Sequence, residues 1–515
     1  MKKYLTTFIL LLSSINISAQ NKGLDQRIDE AFHPISKFFE KYIFYNVSLP
    51  FGDYPFVIYL LVGSALFFTL YFLFPNVRYF WTAINVVRGK YDDLEKSGSN
   101  SKDGEVSHFQ ALATAVSGTV GNGNIAGVAL AIALGGPGAT FWMIVCGLLG
   151  MSTKFVECTL GVYFRDVDEE GVVYGGPMYY ISKGLKLKGY KTVGTIAASL
   201  FAIFCIGGSF GGGNAAQSNQ ATIVIKNLFG YESTFAGAMI GIILAILVGV
   251  IIIGGIKRIA SVTEKVVPFM ALLYIIVCIY ILAVNFSFID DAIGLIISEA
   301  FNPTAIGVGG IIGVLMVGFQ RAAFSNEAGA GSASIAHSAV KTKYAASEGL
   351  VALLEPFIDT VVICTMTALV IITFNSNGAF VYGGDGTGAV LIDGEVYEGA
   401  AITQMAFAKY IPGSDIFLTV AVVLFAVSTM ISWSYYGLQS WKFLFGRGQA
   451  ADLTYKFLFL VFVVIGAAAS MDSIWAFSDA MIFAMVFPNM VGLYFLFPIV
   501  KEQLNKYLDA IKKSK

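Results

Sequence analysis

Long apolar stretches constrain the fold of this 515-residue chain more than any other feature. Eleven of them occur, and most are near the roughly 20 residues that a helix needs to cross a bilayer. They lie at about 55–74, 109–134, 139–163, 192–224, 235–254, 262–284, 305–333, 349–373, 414–437, 454–470 and 474–498. Charged residues make up only 13% of the chain, about half of their usual share in soluble proteins. The sequence therefore predicts an all-α integral membrane protein embedded in a lipid bilayer.

Composition and residue spacing exclude several other classes of protein. The net charge is −1, which gives no sign of nucleic-acid binding. The five cysteines fall within apolar stretches, the three histidines are widely separated, and neither set has the spacing of metal ligands. The sequence also offers no recognisable pair of nucleophile and base. We therefore expect neither an enzyme nor a bound cofactor.

Residues 1–20 have the pattern of a secretory signal peptide. Two lysines precede an apolar run that is too short to span a bilayer. An uncleaved segment lying at the membrane interface is the alternative. With a signal peptide, residues 21–54 form an extracytoplasmic lead-in, and residues 55–74 form an extra transmembrane helix ahead of the others.

Basic residues predict the orientation, because cytoplasmic loops of membrane proteins are enriched in Lys and Arg. Residues 75–107 contain five basic residues and form a predicted cytoplasmic loop, and the tail at 499–515 is also basic. The segment 374–413 has one lysine against four acidic residues, and its first part, 374–400, reads as an extracytoplasmic insertion. These features predict a multi-pass protein of the bacterial plasma (inner) membrane, with its N-terminus outside and its C-terminus in the cytoplasm.

Two Gly-rich interruptions break apolar stretches in which a helix break is costly. They lie at 117–127 and around 307–331. With the first span set aside, they fall in the first and sixth of ten spans, where a 5+5 inverted repeat places equivalent helices. We therefore predict five-helix repeats at 108–284 and 301–498. Paired broken helices of this kind point to the substrate site of a transporter.

The segment 117–127 offers the two ends of a broken helix to small charged ligands. Amides freed at the start of the second half-helix favour a carboxylate, and carbonyls at the end of the first half suit Na⁺. Asn122 and Asn124 add neutral amide groups. The alternative is a helix-packing contact through Gly123 and Gly127, which leaves both asparagines unexplained.

Polar residues of two later spans are further candidates. Gln217 lies in a polar stretch of the third core span, which is either the edge of an outer vestibule or a polar helix end. Ser428 and Thr429 are adjacent hydroxyls that suit a hard cation, although such residues also bond to their own helix. Trp433 lies one turn further on and is either a cap on an apolar pocket or a packing residue.

Ionisable residues inside the spans should face the interior of the helix bundle or a cavity. Gln320 is the substrate candidate of the sixth core span, and we expect the neighbouring Arg321 and Glu327 to form internal ion pairs or a gate. In the seventh, Glu355 and Asp359 are either proton relays or structural partners of Arg321.

Seven motifs together resemble the alanine or glycine:cation symporter family, also called the sodium:alanine symporter family. They are VGNGNIAGVA (120–129), GGPGATFWM (135–143), YGGPMYYI (174–181), GNAAQSNQA (213–221), FSNEAGAGSA (324–333), EPFIDT (355–360) and STMISWSYYG (428–437). The resemblance covers the chain from about residue 55 to its C-terminus. It implies a leucine-transporter-like fold with one extra N-terminal helix, and secondary-active uptake of alanine or glycine with Na⁺ as the coupling ion.

The resemblance also assigns site residues at matching positions. It implies a substrate site of Asn122, Gly123, Asn124, Gln217, Gln320 and Trp433, and a Na⁺ site of the Ser117 and Val120 carbonyls with the Ser428 and Thr429 hydroxyls. Coupling to H⁺ through Glu355 or Asp359 is one alternative. An amino-acid sensor that does not transport is another, but the short tail offers no signalling domain.

Overall fold

The computed structural model describes residues 24–49, 52–95, 104–231, 233, 235–303, 310–384 and 386–514, so the predicted signal peptide at 1–20 lies outside the described residues. Helices occupy Leu24–Ile43, Phe56–Tyr71, Pro75–Arg78, Phe80–Val87, Asp92–Glu95, His108–Thr119, Gly123–Gly127, Val128–Gly135, Gly138–Tyr163, Pro177–Leu187, Lys191–Phe210, Gly211–Ala215, Ala216–Phe229, Ala236–Ile252, Gly255–Val284, Phe286–Phe288, Ile289–Phe301, Gly310–Asn326, Ala333–His337, Ala345–Ala352, Leu354–Pro356, Phe357–Cys364, Thr365–Phe374, Asn375–Asn377, Ala400–Tyr410, Ser414–Phe445, Gln449–Ala468 and Met471–Lys513. Antiparallel strand pairs join Asn46–Leu49 to Gly52–Pro55, Asp166–Val167 to Val173–Tyr174, and Val390–Ile392 to Glu395–Tyr397.

The helices identify the chain as a multi-pass membrane protein. Within the described residues, seven helices are long and apolar enough to cross a bilayer, and a bent helix pair raises the number to eight. Phe56–Tyr71 and Ala236–Ile252 are shorter apolar helices. Each of the eleven predicted stretches overlaps a helix of the structure. The prediction of a mostly helical membrane protein is confirmed, whereas the number of eleven spans and the division into two five-helix repeats stay predictions.

The bent pair, which we call the first broken span, consists of His108–Thr119 and Gly123–Gly135 at an angle of 51°. A capping box starts it: the Ser107 hydroxyl accepts from the Gln110 amide at 3.2 Å, and the Gln110 side chain accepts from the Ser107 amide at 3.1 Å. The α-helix stops at Thr119, and the chain resumes in a single π-helical segment, a form often found at functional sites. The break therefore lies within the segment predicted from sequence.

The second broken span consists of Gly310–Asn326, a turn, and the short helix Ala333–His337. Glu327 and Gly329 in this turn have φ angles of 55° and 94°, in the left-handed region. Glycine adopts this region freely, whereas glutamate does so at a cost of roughly 1–2 kcal/mol. The helix therefore ends at Asn326, inside the predicted apolar stretch.

Segments predicted as connections are partly folded. The lead-in contains the helix Leu24–Ile43, in which the Ser36 hydroxyl donates to the Ser473 carbonyl at 2.6 Å. The insertion at 374–400 contains a two-stranded hairpin and leads into the helix Ala400–Tyr410, which lies in a stretch predicted as an extracytoplasmic connection. Hydropathy detects only long apolar runs, so it does not reveal these shorter elements.

The centre of the bundle is formed by helices whose apolar surface is mostly buried, chief among them Ser414–Phe445 and Met471–Lys513. In the most apolar parts of Gln449–Ala468 and Gly255–Val284, fewer than half of the residues are buried in the bundle, as expected for helices that face lipid. Both broken spans contact the buried helices, so the two helix breaks lie inside the bundle.

Candidate functional site

The first broken span meets the helix Ser414–Phe445 through five oxygen-bearing groups of four residues. The Ser117 hydroxyl donates to the Ser428 carbonyl at 2.7 Å. The Thr429 hydroxyl donates to the Ser117 carbonyl at 3.0 Å and lies 3.5 Å from the Val120 carbonyl. The four residues predicted as cation ligands are thus brought together, and we call them the oxygen cluster. Ser428 joins it through its carbonyl, whereas its hydroxyl, the predicted ligand, donates to the Phe425 carbonyl at 3.0 Å. Their neutral oxygens form a donor set that suits a hard monovalent cation.

Gln217 forms hydrogen bonds with the residues at the break of the first broken span. Its side-chain oxygen accepts from the Asn122 amide at 2.9 Å, and its backbone carbonyl accepts from the Asn122 side chain at 3.1 Å. Its own amide group donates to the Gly212 carbonyl at 2.8 Å. Gln217 therefore satisfies a backbone amide that the break exposes, which is essential at membrane depth.

Asn124 connects the break to a buried carboxylate. Its side-chain oxygen accepts from the Gly121 amide at 2.9 Å, and its nitrogen donates to Asp359 Oδ1 at 2.6 Å. Ser325 of the second broken span also donates to Asp359, at 2.9 Å, as does Thr360, at 2.7 Å. The two broken spans are therefore joined through one carboxylate.

A cavity of about 10 Å³ lies between the two breaks, with room for one water molecule. Its lining includes Thr119, Gly123, Gln217, Phe324, Glu327 and Trp433. An amino acid would need this cavity to widen. It is the point at which both broken spans and the helix Ser414–Phe445 converge.

Trp433 forms one wall of this cavity and is fully buried. Its indole nitrogen donates to Glu327 Oε1 at 2.9 Å. A methyl group on Gly213 would lie 2.1 Å from the indole ring, so glycine is required there for the ring to fit. Trp433 is therefore held in one orientation at the cavity.

Gln320 lies apart from the other predicted substrate residues. Its side-chain nitrogen is 3.2 Å from Asp479 Oδ2, and it does not line the cavity. Arg321 forms an ion pair with the same carboxylate. One of the two alternatives for Glu355 and Asp359, a structural pairing with Arg321, is therefore wrong, because Asp479 of the last long helix is the partner of Arg321.

A chain of buried ionisable residues, which we call the buried charge chain, was missed by sequence reasoning. It runs through Glu95, His108, Glu348, His337, Glu355 and Lys154. Two widely spaced histidines thus share one carboxylate, since both His108 and His337 contact Glu348. Sequence offered no signal for this beyond the presence of histidine in apolar surroundings.

Outside the membrane-spanning helices, Glu95 forms the end of the buried charge chain. Burial alone would raise the pKa of its carboxyl, but hydrogen bonds from His108, Tyr507 and Thr342 hold that pKa below its usual value. Glu95 is therefore an ionised anchor for the chain.

Comparison with known proteins agrees with this architecture. The model of the sodium:alanine symporter family matches residues 37–515. The chain is 38% identical to the sodium/alanine symporter AgcS of Methanococcus maripaludis, over 89% of this chain and 95% of that protein. It is 32% identical to the amino-acid carrier protein AlsT of Bacillus subtilis, over 90% and 93% of the two chains. It is also 32% identical to a probable sodium/glutamine symporter of that organism, GlnT, over 89% of each chain. The chain belongs to the sodium:alanine symporter family, whose members are transporters and not enzymes.

Proposed function

We propose that the protein is a secondary-active symporter that imports alanine or glycine together with Na⁺ by alternating access. The observation that carries this proposal is the juxtaposition of the oxygen cluster and the cavity at one helix break. A cation and an amino acid bound there would share the first broken span. Each would then stabilise the arrangement that the other requires, which is the basis of coupled transport.

The substrate carboxylate would lie at the start of the half-helix Gly123–Gly135. This end of a helix carries partial positive charge, and Gly123 lines the cavity. The amides of Gly121 and Asn122 already bond to side chains. Asn122 and Asn124 would therefore stabilise the helix break, whereas the backbone at Gly123 would contact the substrate carboxylate. Gln217 and Trp433 would flank the substrate, and Gln320 would join them only if it left Asp479.

The size of the substrate is limited by the walls of the cavity. Phe324, Trp433 and Ile482 enclose it with large apolar side chains. A substrate whose side chain is a hydrogen or a methyl group fits such a space after modest widening of the cavity. Each further group on the substrate side chain requires the cavity to widen more. This supports alanine or glycine over glutamine, the solute in the name of one relative.

Cation binding would use the oxygen cluster. The Thr429 hydroxyl would rotate to accept the cation, because in the present arrangement its proton faces the Ser117 carbonyl. No carboxylate belongs to the cluster, so the charge of the transported cation would be balanced by carbonyl dipoles and by the substrate carboxylate. In the proposed orientation, with the N-terminus outside and the C-terminus in the cytoplasm of a bacterial inner membrane, both solutes move inward through a leucine-transporter-like 5+5 repeat.

Coupling to H⁺ is a second candidate function, favoured by the buried charge chain. The chain runs from Glu95, which lies in the predicted cytoplasmic loop, to Glu355, whose carboxylate is 3.0 Å from the Lys154 ammonium. Linked ionisable residues of this kind form proton relays in other transporters. Substrate binding that needs no Na⁺ but follows pH would support this candidate.

Alanine binding to the purified protein, titrated with Na⁺ at constant ionic strength, tests the proposed function. In the wild type we expect binding to require Na⁺ and to be competed by glycine. In Gly121→Ala the added methyl group would lie 2.3 Å from the Thr429 hydroxyl and displace it. We expect the Na⁺ concentration for half-maximal binding to rise about tenfold or more, as for the loss of one charge-assisted contact.

Gly63→Ala is the matched control for this variant, because nothing lies within 4 Å of the added methyl group. Its Na⁺ requirement should equal that of the wild type. An unchanged requirement in Gly121→Ala would exclude the oxygen cluster as the cation site, and Na⁺-independent binding in the wild type would contradict Na⁺ coupling.

A further inference from the structure

We infer that Glu327 binds the ammonium group of the substrate and so restricts the site to α-amino acids. This inference rests on the proposed function. Glu327 directly follows the helix Gly310–Asn326, is only 2% exposed and lines the cavity. Its left-handed backbone, with φ at 55°, is uncommon for glutamate and often marks a functional position. Sequence reasoning assigned this residue to an internal ion pair or a gate.

The carboxylate of Glu327 has no cationic partner in the described part of the chain. No Lys, Arg or His nitrogen there is paired with it within 4 Å; the buried Lys154 pairs instead with Glu355, at 3.0 Å. The contacts of Glu327 are neutral donors, the Trp433 indole and the Ser332 hydroxyl. Each carboxylate oxygen can accept a further hydrogen bond. A buried carboxylate in this condition is costly unless a cation joins it.

The helix end beside Glu327 adds to the negative potential. Gly310–Asn326 ends immediately before it, and the C-terminal end of a helix carries partial negative charge. A carboxylate at this position is therefore unfavourable for the empty fold and favourable for a bound cation. An ammonium group can donate three hydrogen bonds and would compensate both sources of negative charge.

The same cavity is also lined by a backbone that favours the opposite charge. Thr119 and Gly123 line it, and Gly123 begins the half-helix whose amides favour an anion. The cavity thus has one lining element that suits a carboxylate and another that suits an ammonium group. The small size of the cavity brings the two groups within the reach of a single α-amino acid.

Competition between labelled alanine and lactate, measured in Na⁺ buffer, tests this assignment. Lactate has the shape of alanine with a hydroxyl group in place of the ammonium. The wild type should bind alanine and reject lactate. In Glu327→Gln we expect alanine affinity to fall by roughly 30-fold or more while lactate affinity stays within about threefold, as for the loss of one member of a buried charge pair. Alanine would then lose most of its advantage over lactate.

Glu157→Gln is the matched control, since Glu157 is also fully buried but bonds to Asn489, at 2.7 Å, and does not line the cavity. It should keep the preference for alanine. Glu327→Asp retains the charge and should still prefer alanine, which provides a second test should Glu327→Gln fail to fold. An undiminished preference in Glu327→Gln, or its loss in a folded Glu327→Asp, would overturn the assignment. A wild type that binds no alanine would instead contradict the proposed function.

Discussion

Replacement of Glu355 by glutamine is expected to lower the free energy of unfolding by about 3–5 kcal/mol, because it leaves a buried ammonium group without its counter-charge. Lys154 and Glu355 are both fully buried, and their charged groups are 3.0 Å apart. His337 Nε2 also lies 3.6 Å from the same carboxylate. The loss can be measured by SDS titration of the protein in mixed detergent micelles.

Glu40→Gln is the control for this prediction. It removes an ion pair with Lys37 of similar length, 2.9 Å, but with side chains that are 52% (Lys37) and 39% (Glu40) exposed to solvent. Exposed pairs contribute about 0–1 kcal/mol, so little change is expected. In a Lys154→Met background the effect of Glu355→Gln should shrink, because no buried ammonium is then left unpaired. Equal effects of Glu355→Gln and Glu40→Gln would show that the buried charge chain is not a structural element.

Asn124→Ala is expected to weaken alanine binding by about 100-fold, through the loss of two buried hydrogen bonds that hold the helix break. The Gly121 amide would lose its acceptor, and Asp359 would lose a donor at 2.6 Å. Both groups are buried at membrane depth, where no water replaces the missing partner. Equilibrium binding of labelled alanine at saturating Na⁺ measures the effect.

Gln320→Ala provides the comparison, since Gln320 lies against Asp479 and away from the cavity. We expect its affinity for alanine to stay within about threefold of the wild type, as for most substitutions outside a binding site. Intact alanine binding in Asn124→Ala would show that the substrate site lies elsewhere. A large loss of alanine affinity in Gln320→Ala would show that Gln320 belongs to the substrate site.

Much of the fold was predictable because its main signals are local in sequence. Apolar length located the spans, and the density of glycine and asparagine at 117–127 located the first break. The contact between Ser117 and Thr429 was also expected, but from the resemblance to a family rather than from any property of either residue. Their contact at 3.0 Å agrees with that expectation.

Partners that are distant in the chain could not be predicted in the same way. Arg321 pairs with Asp479, 158 residues away, and His108 contacts Glu348, 240 residues away. Hydropathy identifies a buried charge but not the helix that faces it. The position of Glu327 on the cavity was not predicted for a related reason, because it depends on where the helix Gly310–Asn326 ends.

Uptake of labelled alanine into proteoliposomes tests the central claim most directly. With Na⁺ high outside and low inside, we predict accumulation above the external concentration, and its collapse when an ionophore dissipates the gradient. With equal Na⁺ on both sides, alanine should only equilibrate. Accumulation driven by a pH gradient without Na⁺ would show that H⁺, and not Na⁺, is the coupling ion. Equilibration that is indifferent to every gradient would contradict secondary-active symport.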